Sequence, residues 1–204
     1  IMKINAEDGG NRKFIMVQLP EETPEDSEAR KAGYNTIPEI AKERIRRAGK
    51  KIKEESPLTT ADLDTGFRVF RLEEGNYEDV KLSPKDYNQD DLDLFLNNIK
   101  TDRNDLDLLF GCMLDWGVQL SLPMTQEVVD GKTVYTVNDG DLVACFAENV
   151  SEDVVKAMAE KMPLRVIFRD SCFAQDADKI NIYETFKQKL DWSDQEVVKN
   201  IRVI

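Results

Sequence analysis

A chain of 204 residues, 41% hydrophobic and 33% charged, has the composition of a globular protein with one large domain or two small ones. Its net charge of −12 argues against a surface that coats nucleic acid generally. The absence of histidine excludes Ser-His-Asp and Cys-His nucleophilic sites and His-ligated zinc or haem, leaving acid–base work to carboxylates, Lys, Tyr or Cys.

The first element is Phe14 to Leu19 in "NRKFIMVQLPE", an almost unbroken apolar run that predicts a strand buried on both faces. A polar stretch, "EETPEDSEARKAGYN", leads into a helix over 37–55. Thr36 is its expected N-cap, Glu39 completes a capping box, and Pro38 is tolerated in the first turn. Ile37, Ile40, Ala41, Ile45, Ala48 and Ile52 share one face, while Lys42, Arg44, Arg46, Arg47, Lys50, Lys51 and Lys53 occupy the others. "GFRVFRL", residues 66–72, predicts a strand with Phe67, Val69 and Phe70 packed inward. Strand 14–19, helix 37–55 and strand 66–72 would make one right-handed βαβ crossover.

Residues 73–105 form an acidic stretch that reads as a helical linker. "NQDDLDLFLNNIK" and "DRNDLDLLFGCMLDWGVQL" carry Leu or Phe at helical spacing behind acidic first turns. Beyond them, "TQEVVDGKTVYTV" predicts a hairpin with Asp130-Gly131 in a type I′ turn. "DLVACFA" is a buried strand, Ser151 caps a helix that Pro163 stops, and "LRVIFRD" is a second buried strand. A helix of roughly 177–190 and a closing strand "VKNIRVI" complete a small α/β domain over 106–204. Cys112, Cys145 and Cys172 stand in apolar or aromatic surroundings, as small buried thiols of a reduced cytoplasmic protein do, and their spacing matches no zinc motif. No run approaches the roughly 20 apolar residues of a membrane span, and "IMKINAEDGG" lacks a signal-peptide core. The expected location is cytoplasmic, and Ile before Met at the start suggests a cut from something longer.

Four blocks, "EDGGNRKFIMVQLPE", "AGYNTIPEIAKERIRRAGKKIKEE", "DTGFRVFRL" and "MPLRVIFRDSCFAQDADKIN", resemble successive parts of one enzyme family. It is the modification subunit of type III restriction-modification systems, a site-specific adenine DNA methyltransferase. The resemblance is weakest in the acidic stretch. It implies methyl transfer from S-adenosylmethionine to adenine, with DNA, a second modification subunit and the restriction subunit as partners. The family's D-P-P-Y motif, which receives the flipped adenine, and its F-x-G-x-G turn, which lets the cofactor approach the backbone, do not occur in this sequence. In the family both precede the strand that corresponds to 14–19. The chain therefore resembles the C-terminal third or so of the subunit, with "IMKINAEDGG" as the tail of the helix after the glycine turn.

The fold expected on this basis is α/β. Residues 1–72 would be the edge of a Rossmann-like methyltransferase sheet, 73–105 the linker, and 106–204 an α/β domain for dimerisation or docking of the restriction subunit. Catalytic residues and metal ligands are expected to be absent. By resemblance, Gln18 and Glu21, at and past the end of the second strand, would accept hydrogen bonds from the cofactor's ribose hydroxyls; the alternative is a half-buried amide and a solvated loop charge. Arg44, Arg46, Arg47, Lys50 and Lys51 would contact DNA phosphates, or else form the solvated face of the helix or pair with the acidic stretch. In "FRDSCF", Asp170 either caps a turn or serves as a phosphoacceptor or metal-binding acid. Lacking its catalytic motifs, the chain alone is expected to be inactive, and residues 14–19 alone should expose an apolar edge. The reading from another class is a free-standing α/β interaction or regulatory module without catalytic activity.

Overall fold

The segment 125–137, with Asp130-Gly131 at its middle, folds as the expected hairpin. In this computed structural model, which describes residues 1–78, 98–173 and 175–204, β1 (Met124–Val129) pairs antiparallel with β2 (Lys132–Val137), Val129 opposite Lys132. Asp130 and Gly131 both have positive φ, 48° and 72°, as a type I′ turn requires. The chain divides into two units, Ile1–Phe70 and Arg71–Ile204. Most of the helix expected over 88–100 lies outside the described residues.

The second unit is built on a five-stranded sheet of order β1-β2-β3-β4-β5. β2 pairs antiparallel with β3 (Leu142–Cys145), and β3, β4 (Val166–Phe168) and β5 (Ile201–Val203) are parallel, with Val143 opposite Val166 and Val166 opposite Ile201. Every residue of β3 and β4 is fully buried, the state that unbroken apolar runs such as "LVAC" and "VIF" demand. The alternation divides them between two cores. Val143, Cys145, Val166 and Phe168 face α5 (Glu152–Glu160), α6 (Asp176–Leu190) and α7 (Asp194–Asn200). Leu142, Ala144 and Ile167 face α4 (Asp105–Asp115). Both parallel crossovers, through α5 and through α6 and α7, leave the sheet on one face, as successive crossovers of one hand in one direction must.

Two sequence expectations need correction here. Ser151 is the N-cap residue of α5, but its hydroxyl donates to Asp130 Oδ2 at 2.7 Å and makes no side-chain cap bond. "VKNIRVI" is not one strand. Its first three residues end α7, whose capping box joins Ser193 and Glu196, and only Ile201–Val203 extend the sheet. The Val197-Val198 pair suggests a strand, yet a serine three residues before a glutamate fixes a helix start.

The first unit has α1 (Met2–Asp8), α2 (Glu28–Lys31) and α3 (Ile37–Glu55). α3 begins as expected, with Glu39 Oε2 accepting from the Asn35 and Thr36 N–H groups at 2.6 and 3.2 Å. Neither expected strand forms: 14–19 and 66–72 have no regular structure, so the βαβ crossover is not closed. Ile15 is 94% and Val17 93% exposed, and Val69, Phe70 and Leu72 are exposed as well. The physical reason is the lack of a ladder partner, since a strand's N–H and C=O groups are satisfied only by neighbouring strands. Residues 60–67 instead lie on α3, where Arg46 stacks on Phe67 at 5.6 Å and Gly49 leaves room for Thr65; a Cβ at Gly49 would meet Thr65 Cβ at 2.9 Å. Residues 1–70 bury no apolar side chain; the buried hydrophobics run from Ile99 to Ile201.

Phe186 is fully buried between Phe168 and Trp192, with ring centroids 6.2 and 6.3 Å away. Phe186→Ala should lower the stability of the second unit by about 3–5 kcal/mol in urea unfolding followed by tryptophan fluorescence.

Candidate functional site

The segment that carries Gln18 and Glu21 is anchored on α3 at its far end, just past Gln18. The Glu21 carbonyl accepts from the Ile37 N–H at 3.0 Å, which sets the residue against the first turn of α3 with its carboxylate exposed. Glu22 forms an isolated bridge with Thr36, and the buried Thr23 hydroxyl donates to the Tyr34 carbonyl at 2.7 Å. These bonds hold the loop 21–36 on the helix. Gln18 lies before this anchor, exposed, its amide donating to the adjacent Leu19 carbonyl at 3.2 Å. No hydrogen bond links Gln18 to Glu21, so the structure fixes one of the two residues.

At the other end of the segment, the motif "EDGGNR" forms a clasp. Buried Asn5 donates from Nδ2 to the Arg12 carbonyl at 3.0 Å and accepts from the Arg12 N–H at 3.2 Å. The Arg12 guanidinium pairs with Asp8 at 2.8 Å and holds its carboxyl below the usual carboxylate range. Gly9 ends α1 at φ 67°, a left-handed position suited to glycine.

The basic residues of α3 other than the half-buried Lys42 are exposed, and Arg46, Arg47, Lys50 and Lys51 are matched on the same helix. Glu43 takes Arg47 at 2.8 Å and Arg46 at 3.8 Å, and the Arg47 hydrogen bond keeps the Glu43 carboxyl low. Lys50 pairs with Glu54 and Lys51 with Glu55, at 3.8 and 3.6 Å, while Arg44 forms no ion pair with a described residue. Solvent screening leaves exposed pairs of this kind little net strength, so a phosphate could displace the carboxylates at little cost.

Asp170 belongs to a turn. Its N–H donates to the Ile204 carbonyl at 2.8 Å, and its carboxylate meets Lys179 Nζ at 2.6 Å. Next to it, Cys172 accepts from the Arg169 N–H and donates to the Cys145 carbonyl, both at 3.3 Å. Burial pushes the Cys172 thiol up to about 12, and raises Cys145 and Cys112 as well. These thiols are packing groups. Among the described residues, no group of three or more Cys, Asp or Glu is placed to hold a metal ion, and no helix is long and apolar enough to cross a membrane.

Open α/β sheets bind ligands outside the carboxyl ends of their strands, where successive crossovers leave to opposite faces. Here both leave to the same face, so the described residues of the second unit form no such switch point. A cleft of about 420 Å³ lies at the amino ends of β3 and β4, lined by Gly117, Val118, Leu122, Asp141, Leu164 and Arg165 among others. Beside it Trp116 carries two guanidinium groups, Arg165 at 5.6 Å and Arg202 at 4.5 Å from the ring centroid. Sequence reasoning missed this grouping. Its members come from three distant segments, and no spacing rule connects them.

No family model matches the chain. Among curated proteins, the Mod subunit of the type III restriction-modification enzyme StyLTI of Salmonella typhimurium is 40% identical over 95 residues, 47% of this chain and 13% of that protein. The Mod subunit of the type III restriction-modification enzyme EcoP15I of Escherichia coli is 28% identical over 202 residues, 92% of this chain and 28% of that protein. Both are modification subunits of the family that the four sequence blocks resemble, and the chain spans less than a third of either.

The thiol environments give a pH dependence. An unfolded Cys172 ionises near 9 and the native one near about 12, so the native state holds the proton more tightly. That contribution is complete below pH 9 and is lost as pH rises towards about 12. Urea midpoints should fall across this window, and less steeply in Cys172→Ala. At pH 8 alkylation of the three thiols should follow unfolding.

Proposed function

We propose, from a chain related to type III modification subunits over 92% of its length, that it is the C-terminal portion of such a subunit. The parent transfers a methyl group from S-adenosylmethionine to adenine in a specific DNA sequence. Residues 1–72 complete the edge of its Rossmann-like sheet, 73–105 link, and 106–204 serve assembly with a second modification subunit or the restriction subunit. One observation carries this reading: the first unit buries no apolar side chain, while Ile15, Met16, Val17 and Leu19 stand exposed in a row. Burying each would contribute roughly 1.5–3 kcal/mol, and a strand laid alongside would satisfy the backbone between them.

The residues present fit one part of the cofactor, the ribose hydroxyls. Glu21 offers an exposed carboxylate from a backbone anchored at 3.0 Å to α3, and Gln18 offers an amide oxygen. Pairing of 14–19 into the parent's sheet would order Gln18 relative to Glu21. Bound, S-adenosylmethionine supplies the methyl group; this chain's residues would orient it and take no proton from adenine. Arg44, Arg46, Arg47, Lys50 and Lys51 would follow the DNA backbone, the last four exchanging intrahelical carboxylates for phosphates. The chain alone lacks the D-P-P-Y and F-x-G-x-G motifs and on this reading would be inactive.

The isolated chain should transfer no tritiated methyl group to DNA; turnover by the 204 residues would contradict the reading. In the parent subunit, Val17→Asp should weaken S-adenosylmethionine binding on the order of tenfold or more, because it places a charge in a buried strand. Lys50→Glu with Lys51→Glu should instead spare cofactor binding and reduce the salt dependence of DNA binding, by about one unit of slope for each phosphate left without its lysine.

A further inference from the structure

The cleft at the amino ends of β3 and β4 plays no part in the proposed methyl transfer, yet it holds an arginine with no counter-ion among the described residues. Of the two guanidinium groups on Trp116, that of Arg202 is neutralised by Asp115 at 3.3 Å. Arg165 forms no ion pair with any described residue, although the chain as a whole carries a net charge of −12. Stacking on an indole fixes the plane of a guanidinium and leaves its N–H edge for a planar acceptor. The acid in the lining, Asp141, accepts a hydrogen bond from Asn138 Nδ2 at 2.5 Å and forms no ion pair with Arg165. Apolar wall is supplied by Val118 and by Leu164, which is 63% exposed.

Backbone strain concentrates around the same cleft. Asn138, Asp139 and Gly140 have φ of 48°, 54° and 126°, and Met162, next but one to Leu164, has φ of 51°. A methionine in the left-handed region is unusual, and such strain persists where the surroundings over-determine it. The two turns hold each other: the Leu164 N–H donates to the Gly140 carbonyl at 2.9 Å, and a Cβ at Gly140 would meet the Lys161 carbonyl oxygen at 2.9 Å. The hydrogen bond ties the two turns of the cleft wall together.

We propose that this cleft binds a short acidic and apolar peptide segment of a partner protein. A single Asp or Glu carboxylate pairs with the Arg165 fork, and an adjoining aliphatic side chain lies on Leu164 and Val118. Arg–carboxylate pairing of this kind is bidentate and directional, and an aromatic and arginine pair beside exposed aliphatic groups is the usual make-up of an interface anchor. One carboxylate matches the one arginine of the lining, whereas further phosphates of a nucleic acid would meet the Asp141 carboxylate there.

The 204-residue chain has two tryptophans, Trp116 at the cleft and Trp192 against Phe186 in the other core. Their indole N–H resonances can therefore report ligand and fold separately. Titration with acetyl-Leu-Glu-Leu-amide should shift the Trp116 signal saturably and leave Trp192 in place. The Gln counterpart should bind on the order of tenfold more weakly, the factor expected for one charge-assisted pair at an exposed site. Arg165→Gln should lose the difference between the two peptides with the Trp192 signal unmoved, and Arg165→Lys should retain part of it. Equal responses to both peptides, no saturable shift of Trp116, or an undiminished difference in Arg165→Gln would overturn the proposal. So would a stronger response to a single-stranded oligonucleotide than to the acidic peptide.

Discussion

A strand with apolar side chains on both faces has two sets of requirements, because its backbone needs a partner on each edge and its side chains need cover above and below. β3 and β4 meet all four. They are paired on both sides, α4 covers one face, α5 to α7 cover the other, and none of their residues is exposed. Residues 14–19 have the same apolar character and meet none of them. The contrast within one chain separates a unit with its own core from one without. It also explains why unit 1 is organised by polar contacts, namely the Asn5–Arg12 clasp, the Thr23–Tyr34 bond and the Glu39 cap.

That division bears on function. In the proposed parent, the cofactor-side residues Gln18 and Glu21 belong to the unit that has no core of its own, so their geometry depends on the rest of a sheet. Arg46, Arg47, Lys50 and Lys51 already have carboxylates on the same helix, and their exposure makes exchange for phosphates inexpensive. The second unit has a core of its own on each face of its sheet, and its two parallel crossovers leave that sheet on one face.

Local signals made much of the architecture legible in the sequence. Asp130-Gly131 between alternating residues fixed a hairpin and its turn type, and Thr36, Pro38 and Glu39 marked the start of α3 to the residue. α7 was hidden because Val197 and Val198 imitate a strand, while the Ser193–Glu196 box that decides the matter spans few residues. Residues 14–19 and 66–72 have strand composition, but a ladder is a property of pairs of segments, and composition says nothing about where the partner lies. Trp116, Arg165 and Arg202 meet through the fold alone. Gln18 and Glu21 were suggested by family resemblance, and the structure anchors only the second.

The central claim is that residues 14–19 form a strand whose neighbour lies elsewhere in a larger sheet. Amide hydrogen exchange measures this directly, residue by residue. In the 204-residue chain the amides of Ile15, Met16, Val17 and Leu19 should exchange at rates close to those of an unstructured peptide, whereas those of β3 and β4 are protected. In the complete modification subunit the same four amides should slow by about a hundredfold or more, as in a paired strand. Protection of 14–19 in the isolated chain, or its absence in the complete subunit, would contradict the account.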